Sequence, residues 1–144
     1  MALREFRQKL SMVFGFVVPS GLEAPRRVRQ AVRQHLQGAL EAGLAADLEL
    51  LVSEVVTNAV RHGGSGLRDA IDVRVEVGDD TVSVSISDSG DGFAPGTRPQ
   101  PRLGRDAGGF GLLLLDRLST RWGIERDDGG FRVWFRLTGR TAAG

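Results

Sequence analysis

Apolar residues recur along this chain with two periods, about 3.6 and 2, and the points where one gives way to the other mark its elements. Met12 to Val18 is a short apolar run closed by Pro19, Ser20 and Gly21, the pattern of one strand and a turn. From about Pro25 to Ala42 the apolar positions Val28, Ala31, Val32, Leu36, Ala39 and Leu40 recur at helical spacing, with arginines on the other side and Gly43 as a stop. A second helix follows, with Asp47 placed to cap its N-terminus. Its residues Leu48, Leu51, Val52, Val55, Val56 and Ala59 make a wide apolar stripe that runs out at Gly63 and Gly64.

Beyond those glycines the period drops to 2. Ile71, Val73, Val75 and Val77 alternate with Asp72, Arg74 and Glu76, then Gly78-Asp79-Asp80 turns the chain, and Val82, Val84 and Ile86 alternate with serines, which predicts a hairpin with one dry face. From about Asp88 to Gly109 the chain is rich in Gly and Pro with almost no apolar period, a loop long enough to suggest a lid. Leu112 to Leu118 reads as a buried helix. Arg121 to Arg126 and Phe131 to Leu137 read as two more strands, joined by Asp127-Asp128-Gly129-Gly130. Because every well-defined strand alternates, helices should cover the sheet on one face only. The expected fold is α+β, a two-layer α/β sandwich with a mixed, mostly antiparallel sheet. One domain is expected over 11–138, after an N-terminal segment, 1–10, and before a flexible tail, 139–144.

Composition narrows the chemistry. With 144 residues, 41% hydrophobic and 26% charged, the chain can bury a core without staples. It has no cysteine and two histidines, which excludes thiol nucleophiles and most closed zinc sites, so a catalytic metal would take oxygen ligands. A net charge of +1 predicts no direct nucleic-acid binding. There is no apolar stretch near the roughly 20 residues of a membrane span and no leader-like start, which predicts a cytoplasmic protein away from membranes.

Three constellations carry candidate chemistry. Glu54 and Asn58 lie one turn apart on the second helix, beside the apolar stripe, where a carboxylate can act as a general base and an amide oxygen can ligate Mg²⁺. Asp88-Ser89-Gly90-Asp91-Gly92 stands at a strand end. Its glycines permit close backbone approach, and a carboxylate there can accept a hydrogen bond from an amino group such as adenine N6. Gly108-Gly109-Phe110-Gly111-Leu112 precedes an apolar helix, where exposed N–H groups and the helix dipole favour phosphate.

In this order and on these elements, the three motifs resemble those of the GHKL superfamily of ATP-binding domains, the Bergerat fold. Glu54 and Asn58 match its N box, Asp88, Gly90 and Gly92 its first glycine box, and Gly109 and Gly111 its second. The stretch LVSEVVTNAVRHG and the ending RWGIERDDGGFRVWF are similar to the stand-alone anti-sigma factor serine/threonine protein kinases; the likeness runs from about Val17 to Leu137. It implies ATP and Mg²⁺ as cofactors, with Asn58 holding the metal, Glu54 activating the attacking hydroxyl, Asp88 reading adenine, and Gly109 and Gly111 cradling phosphates. Arg102 or Arg105 in the lid would meet the γ-phosphate, and we take Arg105 as the candidate. The chain departs from the pattern at Phe131, where many members have a lysine; the adjacent Arg132 is the candidate replacement.

The resemblance also implies partners: a sigma factor to sequester and a STAS-domain anti-anti-sigma factor to phosphorylate, with a homodimer among the assemblies it allows. A histidine-kinase reading fails because His35 lacks the acidic neighbour and downstream proline of an acceptor motif. The competing use is a non-catalytic switch that binds a partner according to whether ATP or ADP is present. Outside the motifs, Arg26, Arg27, Arg29 and Arg33 read as a solvated helix face, and Trp134 falls opposite Val133, with edge packing its expected role.

Overall fold

The computed structural model describes residues 10–62, 70–88, 110–127 and 130–139. They form strand β1 (Leu10–Pro19), helices α1 (Ala24–His35) and α2 (Ala42–His62), strands β2 (Ala70–Gly78) and β3 (Thr81–Asp88), helix α3 (Phe110–Leu118), and strands β4 (Arg121–Asp127) and β5 (Gly130–Thr138). The strands make one five-stranded sheet in the order β1-β2-β3-β5-β4, with all four pairings antiparallel. The mixed sheet expected from the sequence is therefore antiparallel throughout its described pairings.

The connections account for this order. α1 returns along β1, so that His35 at its end stacks on Phe14 in mid-strand, with ring centroids 4.4 Å apart and planes 9° from parallel. α2 then carries the chain back, and β2 starts where β1 ended, Ala70 opposite Pro19. Two helices between two strands thus leave the strands antiparallel. β3 and β4 point the same way with α3 between them in sequence, and β5 folds back into the gap.

Element ends moved where backbone geometry overrode the apolar pattern. α1 stops at His35 rather than Ala42, because Gly38 adopts φ 78, a left-handed conformation that ends a helix; Ala39 and Leu40 still pack on the core from the connection. α2 consequently begins at Ala42, so Gly43 lies inside the helix and Asp47 is not its cap. Leu44, buried one turn before Leu48, extends the stripe. β1 is longer than its apolar run and carries a register irregularity between Leu10 and Met12. α3 starts at Phe110, which brings Gly111 into its first turn. The expected lid, apart from its first residue Asp88, lies outside the described residues, as does the 140–144 part of the tail.

The core is the seam between the inner faces of the three helices and one face of the sheet. α1 contributes Ala24, Val28 and Val32; α2 contributes Leu48, Leu51, Val52, Val55 and Val56; α3 contributes Leu115. They bury the alternating valines of β2, Val84 and Ile86 of β3, and Val133, Phe135 and Leu137 of β5. The other face, carrying Arg74, Ser85 and Trp134 among others, has no helix over it in the described structure, and this is the expected two-layer arrangement.

The helix register can be tested at neighbouring positions. Leu51 is fully buried and Leu50 is 43% exposed. Leu51→Ala should cost about 2–5 kcal/mol. Leu50→Ala should change stability by no more than about 0.5 kcal/mol. Urea midpoints of the two variants give the comparison, and equal losses would place α2 in the wrong rotation.

Candidate functional site

The apolar stripe fixes the rotation of α2, and the rotation decides what its flank presents. Asn58 is 7% exposed and is the buried polar side chain among the described residues; none of them makes a hydrogen bond to its amide. Burying an amide without a partner costs free energy, so a carboxamide in this position points to a partner supplied from elsewhere. Glu54, one turn earlier, is half-buried and shares that flank. Between them Thr57 turns its hydroxyl back to the Ser53 carbonyl, 2.7 Å away, which leaves the flank to the Glu and Asn.

Two contacts set the direction of α2 relative to β3 and β5. The Gly139 N–H donates to the Asp80 carbonyl at 2.9 Å, and Leu44 packs over Gly139, since a Cβ built there would lie 3.3 Å from Leu44 Cδ1. The start of α2 therefore sits beside the start of β3 and the end of β5. From Leu44 to Asn58 the helix rises about 21 Å. From Thr81 to Asp88 the strand rises about 23 Å. Asn58 and Asp88 thus come to the same end of the domain.

α3 is oriented the same way. Its last turn is closed by the Ser119 hydroxyl on the Leu115 carbonyl, Thr120 N–H donates to the Arg136 carbonyl at 2.7 Å, and the Thr120 and Thr138 hydroxyls bond at 2.7 Å. The Trp122 indole N–H donates to Asp116 Oδ1 at 2.7 Å, tying the helix to β4. With its C-terminus held at the Thr138 end, α3 aims its N-terminal turn, including Gly111, at the end where Asn58 and Asp88 lie. Asp88 is the last residue of β3, in register with Ile71 and Phe131. Gly90, Gly92, Arg102, Arg105 and Gly109 lie outside the described residues.

One candidate is displaced by the pleat. Arg132 is in register with Ser87 and Glu125 on the uncovered face and pairs with the Glu125 carboxylate there. It cannot replace the missing lysine, because one step along a strand reverses the face. The α1 arginines form a largely solvated face, and two of them also reach α2: Arg33 Nε donates to Glu49 at 3.2 Å and Arg29 Nη1 to the Ser53 hydroxyl at 3.4 Å, on successive turns of that helix. Glu49 holds the Arg33 guanidinium pKa above its ordinary value, through the hydrogen bond first and the charge second. Glu49 and Ser53 do share a helix face in the sequence, but nothing local says which helix faces them. The Asp116–Trp122 tie has no sequence signal at all.

Residues 18–137 match the family described as histidine kinase-like ATPase domain. The chain belongs to that family. Its fold is accordingly the GHKL ATPase fold, and an adenine nucleotide is the ligand the family implies. Similar proteins include the serine-protein kinase RsbW of Listeria innocua serovar 6a, 36% identical over 93 residues that cover 58% of this chain and 59% of the relative. The RsbW of Listeria monocytogenes serotype 4b, strain F2365, matches to the same extent. The chain therefore spans about three fifths of the length of these curated relatives. Among solved structures, the histidine kinase domain of the Erythrobacter litoralis EL346 blue-light activated kinase superposes with a TM-score of 0.56 at 22% identity, covering 84% of this chain and 61% of that one. The catalytic domain of histidine kinase ThkA superposes with 0.54 at 14% identity, covering 89% and 99%. Both bear on the fold alone. Among the described residues, no helix is long and apolar enough to cross a membrane.

An amide kept for a ligand rather than for the fold has a thermodynamic signature. Asn58→Leu, which replaces it by an apolar group of similar shape, should leave unfolding stability without nucleotide within about 1 kcal/mol of wild type, or higher. An amide that serves the fold would lose about 1–3 kcal/mol. Denaturant unfolding of the nucleotide-free protein distinguishes the two.

Proposed function

We propose that this chain is a serine/threonine protein kinase of the anti-sigma factor type, using ATP and Mg²⁺. It would phosphorylate a STAS-domain anti-anti-sigma partner and sequester a sigma factor. The observation that carries the reading is the pairing of half-buried Glu54 with buried Asn58 at the α2 end toward which β3 and α3 also point. The RsbW relatives, named serine-protein kinases, support it.

The residues fit the implied groups. A carboxamide oxygen is a hard donor suited to Mg²⁺, which would complete its shell with phosphate oxygens and water. Bound there, the cation supplies charge neutralisation on the transferring phosphoryl group. Asp88 accepts a hydrogen bond from adenine N6. That preference excludes guanine, whose O6 has no proton to donate. Gly90 and Gly92 let the backbone approach the base and sugar, while Gly109 and Gly111, at the α3 N-terminus, offer N–H groups to the phosphates. Glu54 accepts the proton of the attacking serine or threonine hydroxyl. As that oxygen bonds to the γ-phosphorus, the bridging oxygen departs with ADP, and Arg105 meets the charge on the transferring group.

Two variants divide these roles. Glu54→Gln should keep the fold and ATP affinity but slow transfer to a copurified protein substrate by about 10²-fold or more. Asn58→Ala should lose Mg²⁺-dependent nucleotide affinity as well as transfer. Radiolabelled ATP with the partner, beside a calorimetric titration of each variant, reads both effects. Transfer by Glu54→Gln at the wild-type rate refutes the base assignment, and a wild type that binds its partner differently in ATP and ADP without any transfer is a sequestering switch instead.

A further inference from the structure

We propose that the uncovered face of the sheet docks an extended segment of a partner protein, apolar at one end and acidic at the other. The face is ordered by strand register. One row across it runs Val13, Glu76, Ser83, Arg136 and Arg121, each residue directly opposite the next on the neighbouring strand. At the β1 end the row is apolar. Val13 is 46% exposed, and Val17, on the same face of the same strand, is 60% exposed.

At the β4 end the row is cationic and unbalanced. Arg121 and Arg136 stand directly opposite one another, and like charges so placed destabilise a sheet. Elsewhere on this face the arginines are matched: Arg74 pairs with Glu76 at 3.3 Å and Arg132 with Glu125. Arg136 donates only to the Ser83 hydroxyl, at 3.3 Å, and among the described residues neither it nor Arg121 has a carboxylate partner. An anion between the two guanidiniums would relieve the repulsion and gain charge-assisted hydrogen bonds.

Shape agrees with charge. The Trp134 indole lies flat over Gly123, where a Cβ would fall 2.8 Å from the ring, and so stays down on the sheet beside this row. A depression of about 280 Å³ remains in the middle of this face, lined by Ser83, Ser85, Trp134 and Arg136 together with the Arg74–Glu76 and Arg132–Glu125 pairs. From β1 to β4 is four strand spacings, about 19 Å. Six extended residues span about 20 Å. A segment of that length can lay apolar side chains on Val13 and Val17 and bring carboxylates to Arg121 and Arg136. Two unmatched arginines in a chain of net charge +1 offer little to a polyphosphate backbone, which favours a short acidic peptide over a nucleic acid.

The test uses the full chain and a fluorescein-labelled peptide, Leu-Val-Ser-Gly-Glu-Glu, read by anisotropy at low salt, with Leu-Val-Ser-Gly-Lys-Lys as its counterpart. The acidic peptide should bind saturably and the basic one should not. Arg121→Gln with Arg136→Gln should weaken binding about tenfold or more. Arg121→Glu, a single change at an exposed position, should reverse the preference toward the basic peptide. No saturable binding, equal binding of both peptides, or displacement of the acidic peptide by a twelve-residue oligothymidine at lower concentration than by unlabelled peptide overturns the proposal. So does a wild type that sediments as a dimer where Arg121→Glu sediments as a monomer, because the face would then be covered by a second copy.

Discussion

The burial of one side of α2 is the constraint on which the other placements depend. Leu51, Val52, Val55 and Val56 are almost wholly removed from water, each worth roughly 1.5–3 kcal/mol relative to exposure. Rotating the helix by a residue would give up several of these contacts and bring Ser53, Glu54 or Thr57 into the seam. The rotation is therefore fixed by apolar packing, and Glu54 and Asn58 reach the flank because they are a turn apart and adjoin the stripe. The position of the candidate pair is thus held by apolar packing alone.

The contacts at the other end of α2 fix its direction, and direction brings the last turns of α2, the end of β3 and the N-terminal turn of α3 to one end of the domain. α2 starts against Gly139 and rises beside β3, while α3 is tied down at its C-terminus through Ser119, Thr120 and Trp122. These ties lie at the end of the domain away from Asp88. Each holds an element at its far end and leaves the N-terminal turn of α3 and the end of β3 at the same end of the domain as Asn58. α1 lies against the outer side of α2, where Arg29 and Arg33 reach Ser53 and Glu49.

Much of this is legible in the sequence because period and burial are coupled locally. The alternation in β2 and β3, the stripe of α2 and the hairpin of β4 and β5 each need only near neighbours to specify them. The ends of α1 and α2 are not legible in that way: Ala39 and Leu40 continue the helical spacing, and only the conformation of Gly38 breaks it. Nor is the insertion of β5 between β3 and β4, which depends on the long α3 connection. Arg132 shows the limit at a single residue. Its nearness to Phe131 in sequence makes it a candidate substitute, whereas the pleat places it on the opposite face beside Glu125. For the candidate site, residue types and order are legible, whereas the depth of Asn58 and the convergence of the three elements depend on tertiary packing.

The central claim is that these elements converge to bind an adenine nucleotide at one end of the domain. The most direct measurement is a backbone amide NMR titration of the full chain with ATP and Mg²⁺. The account predicts shift changes concentrated at Glu54 to Asn58, Asp88 and Phe110 to Gly111, with little change at Leu44, Thr81 and Thr138. Changes centred on the Thr81 and Thr138 end, or on the uncovered face around Trp134, would contradict it.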